Sequence, residues 1–240
     1  MNMNWFTEFN KMVSVSVCGC GGKTSLVNLL ASEYRNKKVL ITPTTKMRPL
    51  YDDDIQLCTT REMCISHAAQ TGIQCMGILN SSTNKLEALN ETDLAEVASQ
   101  YDLVLMEADG SRGLPCKGWT KQDPVIPNFT THTIGVVSIH ALGLPATEAN
   151  VYRLPEFLTL TGLHEQDPIT LHALASMIDF KYGMFHRYQG QLIVCINQVE
   201  SAQDRQHAEL LKKLILEIYP YPIRIIIGSA KQNCFWETSQ

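Results

Sequence analysis

The stretch Val13-Ser-Val-Ser-Val-Cys-Gly-Cys-Gly-Gly-Lys-Thr-Ser25 decides the fold. A β-branched run, Val13 to Val17, leads into Gly19, Gly21 and Gly22, then Lys23-Thr24, then the apolar helix start Leu26-Val-Asn-Leu-Leu30. Strand, glycine loop, Lys-Thr and helix stand in the order that a phosphate cradle requires. Glycines let backbone N–H groups close on a polyphosphate with no Cβ in the way. The helix that follows points its positive N-terminal end at the same anion. In that arrangement Gly19, Gly21, Gly22, Lys23, Thr24 and Ser25 form the nucleotide-binding loop. Lys23 neutralises β- and γ-phosphate oxygens, and the Thr24 hydroxyl ligates Mg²⁺.

The loop is shorter than the G-x-x-x-x-G-K-[ST] form, whose first glycine would fall on Val17. Here it reads Gly19-x-x-Gly22-Lys23-Thr24. Short loops of this kind occur in Mur-type amide ligases, and this one is similar to them. A glycine-rich turn that binds nothing is the weaker reading, because all four parts occur in sequence.

The 240 residues are enough for one sizeable core, and a single domain spanning 1–240 is expected. The chain is 45% hydrophobic and 18% charged, as a globular protein would be. Its net charge is −4 and it has no Lys/Arg run, so no nucleic-acid partner is expected. No basic region leads into an apolar stretch at Met1-Asn-Met-Asn-Trp-Phe, and no apolar run is long enough to span a bilayer. A cytoplasmic location without membrane partners is the expectation. The eight cysteines are scattered, with no C-x-x-C pair, and read as reduced small hydrophobes. Cys18-x-Cys20 falls in the phosphate loop, where two tolerated small residues are the plainer reading and a soft metal or redox site the sharper one. The seven histidines form no ligand spacing, and His140, just after an apolar strand, is the one worth following.

Periodicity and punctuation predict alternating strands and helices. Residues 1–12 read as a short helix or tail, Val13–Val17 as a strand and Lys23 to about Tyr34 as a helix. Strands follow at Val39–Thr42 and Cys75–Leu79, with a helix from Thr60 to about Thr71 between them and a short strand at Lys85-Leu-Glu. Asn90 caps a helix to about Gln100, and the apolar run Leu103–Met106 is a buried strand. A polar loop with three prolines covers Ser111 to about Asn128, and Thr133–Ile139 is a strand. Residues 145–190 read as a mostly helical insertion, with Asp167-Pro168 a helix start. Strand Gln191–Ile196, helix Asp204 to about Tyr219 and a final strand Ile223–Ile227 complete the chain. This is an α/β pattern: a three-layer fold with a mainly parallel sheet of the P-loop NTPase type, whose ligands bind at the carboxyl ends of the strands.

Chemistry-bearing residues gather at those ends. After the second strand, the hydroxyls of Thr44-Thr-Lys46 can reach Mg²⁺ or the γ-phosphate, or form an ordinary polar loop. Glu107 and Asp109 follow the apolar run Leu103–Met106, where a carboxylate holds Mg²⁺ directly or through water. Thr24, Glu107 and Asp109 are therefore the candidate metal ligands, and Lys23 with Asp109 the candidate catalytic pair. Arg112 and Lys117 are second-tier anion contacts. Asn197-Gln-Val-Glu200 is a degraded form of the N-K-x-D base motif, and Gly228-Ser-Ala-Lys231 is similar to the loop that closes over guanine. Asn197, Glu200, Ser229, Ala230 and Lys231 then form a base pocket for ATP or GTP.

Gly19-x-Gly-Gly-Lys-Thr, Thr44-Thr-Lys-Met47, Glu107-Ala-Asp-Gly-Ser-Arg-Gly-Leu-Pro-x-Lys117, Pro124-Val-Ile-Pro127 and the Gly135-Val-Val strand together resemble the YqeC family. The stretch from Glu107 to Lys117 is the most specific part. The resemblance implies an accessory factor for selenium-dependent molybdenum hydroxylases, with the hydroxylase or its maturation factors as partners. It gives a pathway and leaves the reaction open. The residues themselves point to Mg²⁺-dependent binding and hydrolysis of ATP or GTP. An ATP-dependent ligase or kinase acting on a small molecule, and a nucleotide sensor without chemistry, are the alternatives.

Overall fold

The computed structural model describes residues 5–6 and 12–237. Nine strands make its main sheet: Val13–Gly19 (β1), Lys38–Pro43 (β2), Ile55–Cys58 (β3), Gly72–Met76 (β4), Leu103–Glu107 (β5), His132–Ser138 (β6), Gln191–Asn197 (β7), Ile223–Ser229 (β8) and Cys234–Trp236 (β9). The order across the sheet is β9-β8-β7-β6-β1-β5-β2-β4-β3. Every neighbouring pair is parallel except β8 with β9. The helices are Lys23–Glu33 (α1), Arg61–Ser66 (α2), Glu91–Ala98 (α3), Leu154–Thr161 (α4), Leu171–Ser176 (α5) and Ala202–Ile218 (α6).

Side chains alternate between two covered faces. Val15 and Val17 of β1, Leu105 of β5 and Ile193 of β7 pack with Leu26, Val27 and Leu30 of α1. The intervening Val194 and Ile196 of β7 pack with Leu174 of α5 and Leu211 of α6. On the same face farther along the sheet, Leu40, Val104 and Met106 meet Leu94 and Val97 of α3. Covered on both faces, β1 and β5 are buried at every position, β5 through the apolar run Leu103–Met106 and β1 through its valines, with the Ser14 and Ser16 hydroxyls bonded to Phe129 O and Thr130 Oγ1. The expected three-layer, mainly parallel architecture of the P-loop NTPase type is the one observed. Among the described residues no helix is long and apolar enough to cross a membrane.

Several element boundaries differ from those read in the sequence. The helix after Thr60 stops at Ser66, and His67 is already extended (φ −80°, ψ 119°). The strand expected at Cys75–Leu79 is two strands. Gly72–Met76 lies in the main sheet, while Ile78–Asn80 joins Lys85–Glu87 and Lys46–Met47 in a separate three-stranded sheet. Gly77 makes the break, for a Cβ there would lie 2.9 Å from Leu86 Cβ and 3.0 Å from Glu87 O. Between 145 and 190 only α4 and α5 are helical. Asp167-Pro168 starts no helix, because Pro168 bridges to Pro145 and Thr170 caps α5 by accepting from Ala173 N. The sequence reading does not contain the edge strands β3 and β9, which are only three or four residues long and largely half-exposed. The expected helix or tail at 1–12 falls largely outside the described residues.

Gly135 sits in the middle of β6, where an added Cβ would lie 2.7 Å from Phe185 Cζ and closer still to Met184 Sδ. Gly135→Ala should destabilise the fold by about 1–3 kcal/mol through overpacking. Urea unfolding measures this, and a midpoint unchanged from the native chain would contradict it.

Candidate functional site

The phosphate loop leaves β1 in the centre of the sheet. Gly19, Gly21 and Gly22 all take left-handed backbone (φ 99°, 81° and 114°). They are also crowded. A Cβ on Gly21 would lie 2.9 Å from Ser138 Cα, and one on Gly22 would strike Asn197 Nδ2. Both the dihedrals and the neighbouring strands therefore demand glycine here.

The loop ends at Gly22, the N-cap of α1. Four other helices are closed by a side chain, from Thr60, Asn90, Thr170 and Ser201. The N-terminus of α1 has no side-chain cap and no acid in its first turn. Its first intrahelical bond runs from Leu26 N to Gly22 O at 3.0 Å. The amides of Lys23, Thr24 and Ser25 thus precede any intrahelical acceptor, and the positive end of the helix is left unneutralised.

Asp109 anchors the loop from below. It is fully buried, and both its oxygens accept from Gly19 N at 3.1 Å. Lys23 Nζ lies 3.2 Å from Oδ1, while Oδ2 accepts from Lys117 Nζ at 3.0 Å and Trp119 Nε1 at 2.8 Å. Burial penalises this carboxylate, but the ammonium groups of Lys117 and Lys23 outweigh it and hold its pKa below the usual range. Lys23 mirrors this. Burial disfavours its charge, and the carboxylates of Asp109 and Glu107 overcome that and raise its pKa. Its Nζ also donates to Gly19 O at 2.7 Å and to Ser111 Oγ at 3.4 Å.

The two acids after β5 have separated tasks. Asp109 has its oxygens filled by the loop amide, two lysines and an indole. Glu107 lines the cleft and accepts from Thr24 Oγ1 at 2.9 Å. Burial raises its pKa, with Lys23, Thr24 and Lys85 offsetting this only in part. Thr24 and Glu107 supply hard oxygen donors. Mg²⁺ is held through one or two carboxylates with the remaining positions left to waters and phosphates, so this donor set suits it. Among the described residues no group of three or more His, Cys, Asp or Glu gathers around one point.

Lys117 lies apart from where a surface loop would put it. It is 0% exposed and donates to Asp109 Oδ2, Gly110 O (2.9 Å) and Asp123 Oδ2 (2.7 Å). Its three protons are all engaged, so it acts on the loop through Asp109. Asp123 is held in turn by Arg153, Thr120 Oγ1 (3.0 Å) and Thr120 N (3.1 Å). Trp119, Asp123 and Arg153 were not singled out in the sequence, since no local spacing marks them. Arg112 is exposed, takes left-handed backbone (φ 53°) and stacks 4.9 Å above the Tyr152 ring at the cleft wall. Thr44 is tied down, donating to Val125 O at 2.6 Å.

Asn197, Glu200, Ser229 and Ala230 do meet. Asn197 Nδ2 donates to Gly21 O at 2.8 Å and its Oδ1 accepts from Ala230 N at 2.9 Å. Ser229 Oγ donates to Glu200 Oε1 at 3.1 Å. This network ties β7 and β8 to the phosphate loop, and Lys231 is exposed at its edge. None of these residues lines the cleft over the loop. That cleft, of about 860 Å³, is walled by Gly21–Ser25, Lys46, Arg48, Lys85, Glu107, Gly110–Gly113, Ser138, His140 and Gln198, among others. His140 Nε2 stands 3.5 Å from Asp204 Oδ2. Cys18 is buried, its Sγ donating to Met184 O at 3.5 Å, and burial pushes its thiol pKa up.

The structure is a mainly parallel α/β fold like that of the P-loop NTPases, with a cationic cleft over the glycine loop at its central strand. A family model described as "YqeC protein" matches residues 15–155. The "Uncharacterized protein YqeC" of Escherichia coli (strain K12) is 32% identical over 178 residues, which cover 71% of this chain and 69% of that protein. The chain belongs to the YqeC family.

Asp123 has a lowered pKa, burial opposing its charge and Lys117 more than compensating. It therefore adds stability above the ordinary Asp pKa of about 3.9, and that stability is lost as pH falls through the lower native value. Asp123→Asn should cost about 3 kcal/mol at pH 7 by leaving Lys117 and Arg153 short of a partner. It should also flatten the acid limb of the stability profile. Denaturation from pH 7 down to about pH 2 checks both, and an unchanged profile would refute the assignment.

Proposed function

We propose that this protein binds a nucleoside triphosphate, ATP or GTP, with Mg²⁺ and hydrolyses it. One observation carries the reading. The uncapped N-terminus of α1 opens into a cleft beside Lys23, with Thr24 and Glu107 together at its wall. An anion at that point satisfies the free amides and the helix dipole at once.

The residues divide the work. The amides of Gly21 to Ser25 and the Lys23 ammonium take the phosphates. Thr24 and Glu107 would hold Mg²⁺, which when bound neutralises phosphate oxygens. Asp109 positions Gly19 and Lys23, and Lys117 with Trp119 keeps Asp109 in place. Phosphoryl transfer to water asks mainly for positioning and charge stabilisation, which this set supplies. Arg112 stands at the cleft wall as a further cation for charge that develops on the leaving side. Asn197, Glu200 and the Ser229–Lys231 loop, which lie beside the glycine loop and outside the cleft walls, would form the base side for ATP or GTP. The family resemblance extends the reading to an accessory role in the cytoplasm. In that role, turnover gates cofactor maturation on a selenium-dependent molybdenum hydroxylase.

Calorimetric titration of ATP, GTP and their diphosphates, with and without Mg²⁺, tests the site. Lys23→Ala should lose at least tenfold in triphosphate affinity and about 100-fold in turnover. Glu107→Gln should lose most of the Mg²⁺ dependence of binding. Equal affinities for all four nucleotides in the native chain and in Lys23→Ala would overturn the assignment.

A further inference from the structure

The cleft carries more positive charge than one Mg²⁺-nucleotide needs, and the excess lies on the wrong side for the base. Asn197 ends β7, two strands from β1 in one direction. Lys46, Arg48 and Lys85 follow from β2 and the small sheet beside it, two strands from β1 in the other direction. With strands about 4.8 Å apart, the two flanks stand roughly 19 Å apart across the sheet. A nucleotide laid from the loop toward Asn197 therefore leaves the β2 flank open.

That flank is cationic, with Arg48 exposed and Lys85 half-buried at the cleft wall. Lys46 is paired with Glu87 at 2.7 Å. Arg48 and Lys85 have no acidic partner within ion-pair distance among the described residues, yet both line the cleft. The ladder pairs Lys46 with Glu87 and Met47 with Leu86, and Lys85 with Asn80, so Lys85 stands on paired backbone and Arg48 directly after it. Cations on one wall raise the local positive potential, which favours an anion there. Arg48 offers the planar fork that takes a phosphate or carboxylate through two bonds.

We propose that Arg48 and Lys85 form a second subsite, beside the terminal phosphate of the nucleotide, for a small molecule bearing an oxyanion group. Its location relative to the nucleotide rests on the nucleotide reading above. The subsite itself rests on the two unpaired cations. It makes the cleft a two-ligand site, in which the second ligand is an anionic metabolite-sized molecule.

The test uses the full chain and two probes, inorganic phosphate and succinate. Each is titrated by calorimetry with and without a saturating Mg²⁺ β,γ-imido nucleotide. The native protein should bind at least one probe at a single site in both conditions. The double variant Arg48→Gln/Lys85→Gln should weaken that binding at least tenfold, and Arg48→Gln alone, which keeps the Lys85 charge that acts on Glu107, should keep imido-nucleotide affinity within twofold. Preference for phosphate or succinate then identifies the oxyanion class. A parallel loss of nucleotide affinity in Arg48→Gln would overturn the proposal by assigning that cation to the nucleotide. No binding of either probe, or binding untouched by the double variant (an adventitious ion only), would also overturn it. Failure of the nucleotide reading shows separately, as probe binding that depends on Arg48 and Lys85 in a chain that binds no imido nucleotide.

Discussion

The site depends on one buried carboxylate. Asp109 lies at the end of the strand next to the phosphate loop and is closed off from solvent. A buried charge of this kind is stable only when paired and hydrogen-bonded. Gly19 N, Lys23, Lys117 and Trp119 meet that condition together. Because Lys117 is also bound to Asp123, and Asp123 to Arg153, the chain of charges runs from the phosphate loop to the start of α4. Removing one member leaves an uncompensated neighbour, so the loop cannot adopt another shape cheaply. The cluster fixes where Lys23 sits and frees Glu107 to face the cleft.

The sheet order turns this local rigidity into a laid-out cleft. Placing β1 at the centre sets the carboxylates of β5 on one side and the Asn197 network on the other. The loop is held from both sides, by Asp109 through Gly19 N and by Asn197 through Gly21 O. Three glycines are required because strands β6 and β7 approach the loop closely, at Val136, Ser138 and Asn197. An anion arriving at α1 therefore meets amides that are already oriented, which lowers the entropy cost of binding. The small sheet carrying Lys46 and Lys85 forms the remaining wall, and its existence turns on the break at Gly77.

The main architecture was legible because buried parallel strands are continuous apolar runs, as in Leu103–Met106 and Leu192–Ile196. Edge strands are half-exposed and short, so β3 and β9 left no such signal. Residues 145–190 read as mostly helical, yet outside α4 and α5 much of the segment is turns and bends, held by the burial of its own Met184 and Phe185 in the core. In the site, the loop residues and the two acids were visible as a motif. Their division of labour was not, because it depends on which carboxylate faces Thr24 and which faces two lysines. Lys117 read as a second-tier anion contact because nothing in its spacing shows Asp109 and Asp123 closing on it. Arg48 and Lys85 are distant in sequence from the loop, and only the small sheet brings them to the same cleft.

A crystal structure grown with Mg²⁺ and a β,γ-imido nucleoside triphosphate tests the central claim most directly. The account predicts phosphate oxygens within hydrogen-bond distance of the amides from Gly21 to Ser25. It also predicts Lys23 Nζ moved from Gly19 O onto phosphate, with Asp109 still bound to Gly19 N and Lys117. A nucleotide seated elsewhere on the molecule, or an α1 N-terminus without phosphate at saturating ligand, would contradict it.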